Sequence, residues 1–222
     1  MRHLTPLEAR VLGVLVEKQA TVPDTYPLSL NALVNGCNQK TARDPVIEAT
    51  EADVLVALDG LKSLSLVFEG GGSRVVKFEH NAPRALQLPG AAVALLAVLL
   101  LRGPQTAAEL RLNSERLHRF ADISSVEAFL EELAAKEPPR AVKLARAPGE
   151  REARWAQLLT GEPMLAAAAA GQSSRAAAAP GGSDVSAGEL AALKAEQTRL
   201  AAEVDELKAL VQRLARELGV AP

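Results

Sequence analysis

The chain has one cysteine, one tryptophan, one tyrosine and two methionines among its 222 residues. A single cysteine excludes a disulfide framework and a thiolate metal cluster. Aromatic residues make up 3% of the chain, too few for a platform that stacks single-stranded nucleic acid. Neither sign of charge is in excess. The chain has 25 basic and 27 acidic residues, net −2, which gives no general attraction to nucleic acid or to an anionic membrane. Long hydrophobic runs are also missing. The longest, Ala91–Leu101, is well short of the roughly 20 residues that span a bilayer. Met1-Arg2-His3-Leu4 leads into Thr, Pro and Glu rather than an apolar stretch, so no signal peptide is expected. The expected setting is a reducing cytoplasm without a membrane partner.

The residues that carry chemistry are equally sparse. His3, His80 and His118 have no second ligand at metal-binding spacing. Cys37 falls on the apolar stripe of a predicted helix and reads as a small buried hydrophobe. Gly70-Gly71-Gly72 joins two strand-like runs and does not open a helix, so it is not a phosphate loop. No nucleophile-elbow or zinc-protease string occurs. The expectation is a non-enzyme with no catalytic residue, metal or cofactor.

What is present is architecture. Thr5-Pro6-Leu7-Glu8 spells a capping box with proline at the first helical position. Leu7, Val11, Val14 and Leu15 then share a helical face. Tyr26-Pro27-Leu28 reads as a short extended piece. Ser29 can cap a second helix with Leu30, Leu33, Val34 and Cys37 on one side. Thr50 can cap a third with Val54, Leu55, Leu58 and Leu61 inward. Leu66–Glu69 and Arg74–Glu79, parted by glycines, predict a hairpin. Helix, short strand, two helices and a hairpin is the order of a winged helix-turn-helix domain.

The order then repeats. Ala91–Leu101 reads as a buried helix ended by Gly103-Pro104, Thr106–Glu109 as a second capping box, and Ser124–Glu127 as a third, opening a helix with Val126, Phe129, Leu130 and Leu133 inward. Val142–Leu144 and Arg154–Ala156 predict a second hairpin. The expected division is one winged-helix domain over 1–84, another over 85–160, an Ala/Gly/Ser-rich linker over 161–187 and a coiled-coil helix over 188–219. The expected class is mainly α with small β hairpins (α+β). In the last helix, apolar residues recur at alternating spacings of three and four. Leu193, Leu200, Leu207 and Leu214 occupy d, and Val204 and Val211 occupy a. β-branched residues at a with leucine at d favour a parallel pair, so a homodimer is expected. An amphipathic helix packed on its own domain is the alternative.

Winged helices commonly read DNA through the third helix. Projected at helical spacing opposite Leu58, the first domain's third helix turns Ala52, Asp53, Val56, Asp59, Gly60 and Ser63 outward, with Lys62 on the inner side. The second domain's turns out Ala128, Glu131, Glu132 and Ala135. Carboxylates facing a phosphate-lined groove oppose binding. Two basic features remain. One is the loop holding Asn38, Gln39, Lys40 and Arg43. The other is the second hairpin with Lys143, Arg146, Arg151 and Arg154. Each is either a solvated surface or a contact for phosphate or an acidic protein segment. The loop also has a structural reading, in which Arg43 pairs with Asp44 and Asn38 takes a left-handed helix end.

The strings Tyr26–Leu33, Cys37–Thr41 and Arg43–Val46, with Leu99–Thr106 and Glu109-Leu110-Arg111, resemble the signature of the YceH-like family. The resemblance covers about residues 4–160. It implies tandem winged helices in a bacterial cytoplasm, and no known activity, cofactor or catalytic residue. Ala42 departs from it, since the family usually has asparagine between the threonine and the arginine. Together these features lead to the expectation of a binding or scaffold protein. Its winged helices serve mainly protein contacts, and its tail makes a homodimer. The alternative is a DNA-binding regulator that contacts phosphates weakly through the hairpins and the 38–43 loop.

Overall fold

Thr5 caps the first helix as its spacing predicts: its hydroxyl accepts from the Glu8 N–H, and the Glu8 carboxylate accepts from the Thr5 N–H. The computed structural model describes residues 1–70, 75–146 and 152–162. They contain seven α-helices and two small antiparallel sheets. The first half runs α1 (Pro6–Thr21), β1 (Leu28–Ser29), α2 (Leu30–Cys37), α3 (Glu51–Ser63), β2 (Val67–Gly70) and β3 (Lys77–His80). A short helix, α4 (Ala82–Leu86), was not foreshadowed. The second half runs α5 (Gly90–Arg102), α6 (Ala107–Asn113), α7 (Ile123–Ala134), β4 (Ala141–Lys143) and β5 (Trp155–Gln157).

The first sheet has the order β1-β3-β2, with Leu28 opposite Phe78 and Val67 opposite His80. The second pairs β4 with β5 and gains a bridge from Gln105 to Trp155. Gln105 sits between α5 and α6, as β1 sits between α1 and α2. The order of elements therefore recurs, down to the third strand.

The two halves share one core. α1 packs against α2, α3 and α5, and residues from Glu8 to Val16 are buried all round. The single face predicted for α1 is half the answer, because α5 from the second half covers another side. Leu7, predicted inward, is only half-buried. Small residues permit these close crossings. A Cβ on Gly13 would lie 2.9 Å from Leu101, and one on Gly36 would lie 2.6 Å from Val14. The backbone of Leu4 donates to the Leu159 carbonyl at 2.7 Å. Residues 1–163 form one compact unit, so the sequence boundary near residue 84 separates repeats of order rather than separate cores.

Several local expectations are corrected. α7 is capped by Asp122, which accepts from the Ser125 N–H at 2.7 Å, and not by Ser124. A carboxylate at a helix N-terminus adds charge to the cap, so the aspartate outcompetes the serine. Gly60 faces inward, where a Cβ would collide with Glu8. Leu55 faces outward and Lys62 sits at the surface. Asn38 ends α2 at φ −88°, outside the left-handed region, while Ala42 adopts φ 59°. Among the described residues, no helix is long and apolar enough to cross a membrane. The heptad positions Leu193, Leu200, Val204, Leu207, Val211 and Leu214 lie outside the described residues, as does most of the 161–187 segment.

Candidate interaction surface

α3 begins at Thr50, whose hydroxyl accepts from the Asp53 N–H while the Asp53 carboxylate accepts from the Thr50 N–H. This closed box holds Asp53 below its ordinary value and sets the rotation of the helix. Val54, Ala57, Leu58 and Leu61 go into the core. The run from Val54 to Leu58 is apolar throughout, and a helix packed on one side cannot bury all of it. Leu55 and Val56 are left 43% and 73% exposed.

The hairpin adds to this surface. Val75 and Val76 ahead of β3 are also exposed, while Phe68 on β2 pairs with Glu79, on the opposite face of the hairpin from Glu69 and Phe78. Leu30, Leu55, Val75, Val76 and Phe78 line a groove of about 510 Å³, with Glu51, Glu69 and Lys62 also on its wall. Lys62 bonds Asp59 at 2.9 Å and Glu69 at 3.0 Å. These two carboxylates, Asp59 foremost, hold its ammonium above the usual lysine value. The cation is thus matched, and Glu51 and Asp53 leave the face acidic. Leu55, Val75 and Val76, three of the large exposed hydrophobics among the described residues, line this groove together. Clustering of this kind marks a contact surface. Sequence reasoning missed it by assigning Leu55 to the core. The uninterrupted apolar run was the signal available.

The 38–43 loop is built differently from a donor-rich surface. The Asn38 amide donates to the Ala49 carbonyl and accepts from the Ala49 N–H, both at 2.8 Å. Gln39 accepts from Lys18 at 3.2 Å and donates to the Thr41 carbonyl at 3.0 Å. Arg43 is 7% exposed. It donates to the Gly36 and Ala42 carbonyls and grips Glu17 with both terminal nitrogens. Burial pushes the Glu17 carboxyl up, but the bonds and charge of Arg43 outweigh it and hold the group below its ordinary value. Arg43 therefore pairs with Glu17, not with Asp44, and its side chain is buried. Of the four residues, Lys40 is the exposed one.

The second hairpin is mixed. Lys143 is exposed and holds its ammonium 5.4 Å from the Trp155 ring centre. Arg154 donates to the Pro104 carbonyl and to Glu109, each at 3.1 Å. Glu109 also completes the cap of α6, so Arg154 ties β5 to that helix. Arg146 is exposed, and Arg151 lies outside the described residues. The outer face of α7 presents Ala128, Glu131, Glu132 and Ala135, as its spacing predicts.

Cys37 is fully buried, and burial pushes its thiol up to about 12. It is protonated at neutral pH and enclosed by packing. Among the described residues, no group of three or more His, Cys, Asp and Glu side chains is arranged to hold a metal ion.

Residues 4–150 match the family model described as a protein of unknown function, DUF480. The chain is 65% identical over 219 residues to a UPF0502 protein of Leptothrix cholodnii, covering 99% of this chain and 97% of the relative. It is 66% identical over 221 residues to a UPF0502 protein of Burkholderia cenocepacia, covering 99% and 91%. A UPF0502 protein of Cupriavidus necator is 63% identical over 220 residues, covering 99% and 89%.

Proposed function

This chain belongs to the DUF480 family, and on that premise we propose that it is a non-enzymatic bacterial interaction protein of the cytoplasm, built from tandem winged helices. The repeated order of helix, short strand, two helices and hairpin supports the winged-helix assignment. In this reading the tail helix dimerises the protein through Leu193, Leu200, Val204, Leu207, Val211 and Leu214, and α3 and the first hairpin dock a partner protein. The carrying observation is chemical. Where a DNA reader presents arginine, lysine, asparagine or glutamine to base edges, α3 presents Glu51, Asp53, Leu55, Val56 and Asp59. The partner that fits is a segment of apolar residues flanked by basic ones. Apolar side chains would fill the groove, and cations would meet Glu51 and Asp53.

The DNA alternative draws on exposed Lys40, Lys143 and Arg146. Capture of partners by the full chain from native lysate, with and without nuclease, separates the two readings. The wild type is compared with the Val56→Glu/Val76→Glu variant. A nuclease-resistant partner that the double variant loses supports protein docking. Nuclease-sensitive capture, or nanomolar sequence-selective binding of duplex DNA at about 0.15 M salt, would replace it with the DNA reading.

A further inference from the structure

Arg10, on α1, is 3% exposed. Its terminal nitrogens each donate once, to the Cys37 carbonyl at 3.1 Å and to the Pro45 carbonyl at 2.5 Å. The second N–H on each terminal nitrogen has no protein partner among the described residues, and the Nε–H is buried without one. No carboxylate there forms an ion pair with it. The contrast with Arg43, the neighbouring buried guanidinium, is direct, because Arg43 has Glu17. Arginine does not shed its proton in proteins, so Arg10 remains a buried cation without a bonded counter-charge. That arrangement costs free energy unless an anion completes it.

The same arginine lines a cavity of about 290 Å³. Leu7, Pro45 and Ile47 give it apolar walls, and Glu48 and Asp53 also line it. Asp53 is engaged in the Thr50 cap. Glu48 is exposed and makes no ion pair with Arg10. The outer wall, Pro45 to Ala49, has neither helix nor strand and is pinned by Asn38. The volume lies at the bottom of the range for small-molecule sites, about 300–1,000 Å³. It suits a fragment-sized ligand and excludes a nucleotide cofactor.

We propose that this cavity binds a small organic carboxylate with an apolar body. The ligand's carboxylate takes the unmatched N–H groups of Arg10, and its body lies against Leu7, Pro45 and Ile47. A free aliphatic acid and the C-terminus of a peptide share this chemistry. The test titrates the full chain with hexanoate, with neutral hexanamide, and with an acetylated dipeptide ending in leucine as free acid or as amide. Calorimetry and amide NMR shifts are the readouts.

At least one free acid is expected to bind ten-fold or more tightly than its amide. The acid that binds more tightly identifies the source. Ile47→Trp, which fills the cavity from its wall, should weaken that binding at least ten-fold. Glu48→Gln should tighten it a few-fold at unchanged melting temperature. Arg10→Met should abolish it, and the other arms decide the matter if that variant does not fold. Absence of binding by both acids overturns the proposal, as does equal binding of acid and amide. A lowered melting temperature for Glu48→Gln also overturns it, by showing that Glu48 is the counter-charge of Arg10.

Discussion

Arg43 and Glu17 form a two-pronged ion pair across 26 residues of chain, Nη1 to Oε1 at 3.0 Å and Nη2 to Oε2 at 2.6 Å. The pair pins the 38–43 loop to α1 from beneath. Arg43→Met leaves a largely buried carboxylate with only its Lys18 contact at 3.2 Å, and the expected loss is about 2 kcal/mol. Arg43→Lys also loses stability, because an ammonium cannot reproduce the paired contacts. Lys40→Ala, three residues earlier and exposed, should stay within about 0.5 kcal/mol. Urea unfolding of the three variants checks this. A neutral Arg43→Met would show that the loop is not held by the pair.

Ala42 stands beside that pair at φ 59°, in a region where a side chain with Cβ is strained. Ala42→Gly and Ala42→Asn are expected to raise stability by about 0.5–1 kcal/mol, since both residues tolerate this backbone. An asparagine at this position would thereby have a backbone reason, independent of any partner. A drop in stability for both variants would refute it.

His80 makes folding sensitive to acid. Its Nδ1 accepts from the Ala82 N–H at 3.3 Å, which leaves Nε2 as the donor to Gln19 at 2.8 Å. Burial lowers its pKa from 6.5 to about 4. The unfolded chain therefore binds the proton more readily between those values, and stability falls as pH drops from about 6.5 towards 4. A single proton limits the slope to about 1.4 kcal/mol per pH unit. Unfolding free energies of the wild type and His80→Gln at pH 7, 5.5 and 4.5 should converge as the pH falls. Parallel curves would exclude His80 as the source.

The full chain is expected to be a parallel homodimer at micromolar concentration. Leu200→Lys with Leu207→Lys should make it monomeric, because each lysine would bury charge in the seam. Light scattering on the two proteins decides it, and a monomeric wild type would refute the coiled coil.

Some of this was legible in the chain because it depends on neighbours in sequence. The caps at Thr5, Thr50 and Thr106 each join residues three apart, and a helix start of that kind is local chemistry. Both hairpins follow from alternating residues around turn material, within a residue or two of their ends except at β3, which starts at Lys77 rather than Arg74. The outward carboxylates of α3 and α7 follow from helical periodicity. Other features required the tertiary structure. Arg10 and Arg43 look alike as basic residues in a string of letters. One met Glu17 across 26 residues, and the other met the carbonyls of Cys37 and Pro45, 27 and 35 residues away. Leu55 is as apolar as Leu58, and only the placement of α1 beneath α3 decided which was buried. α1 itself is enclosed because α5, from the second half of the fold, lies against it. Spacing within an element sets which residues share a face, whereas the cover over that face comes from chain far away in sequence, and that cover decided burial, pairing and the groove.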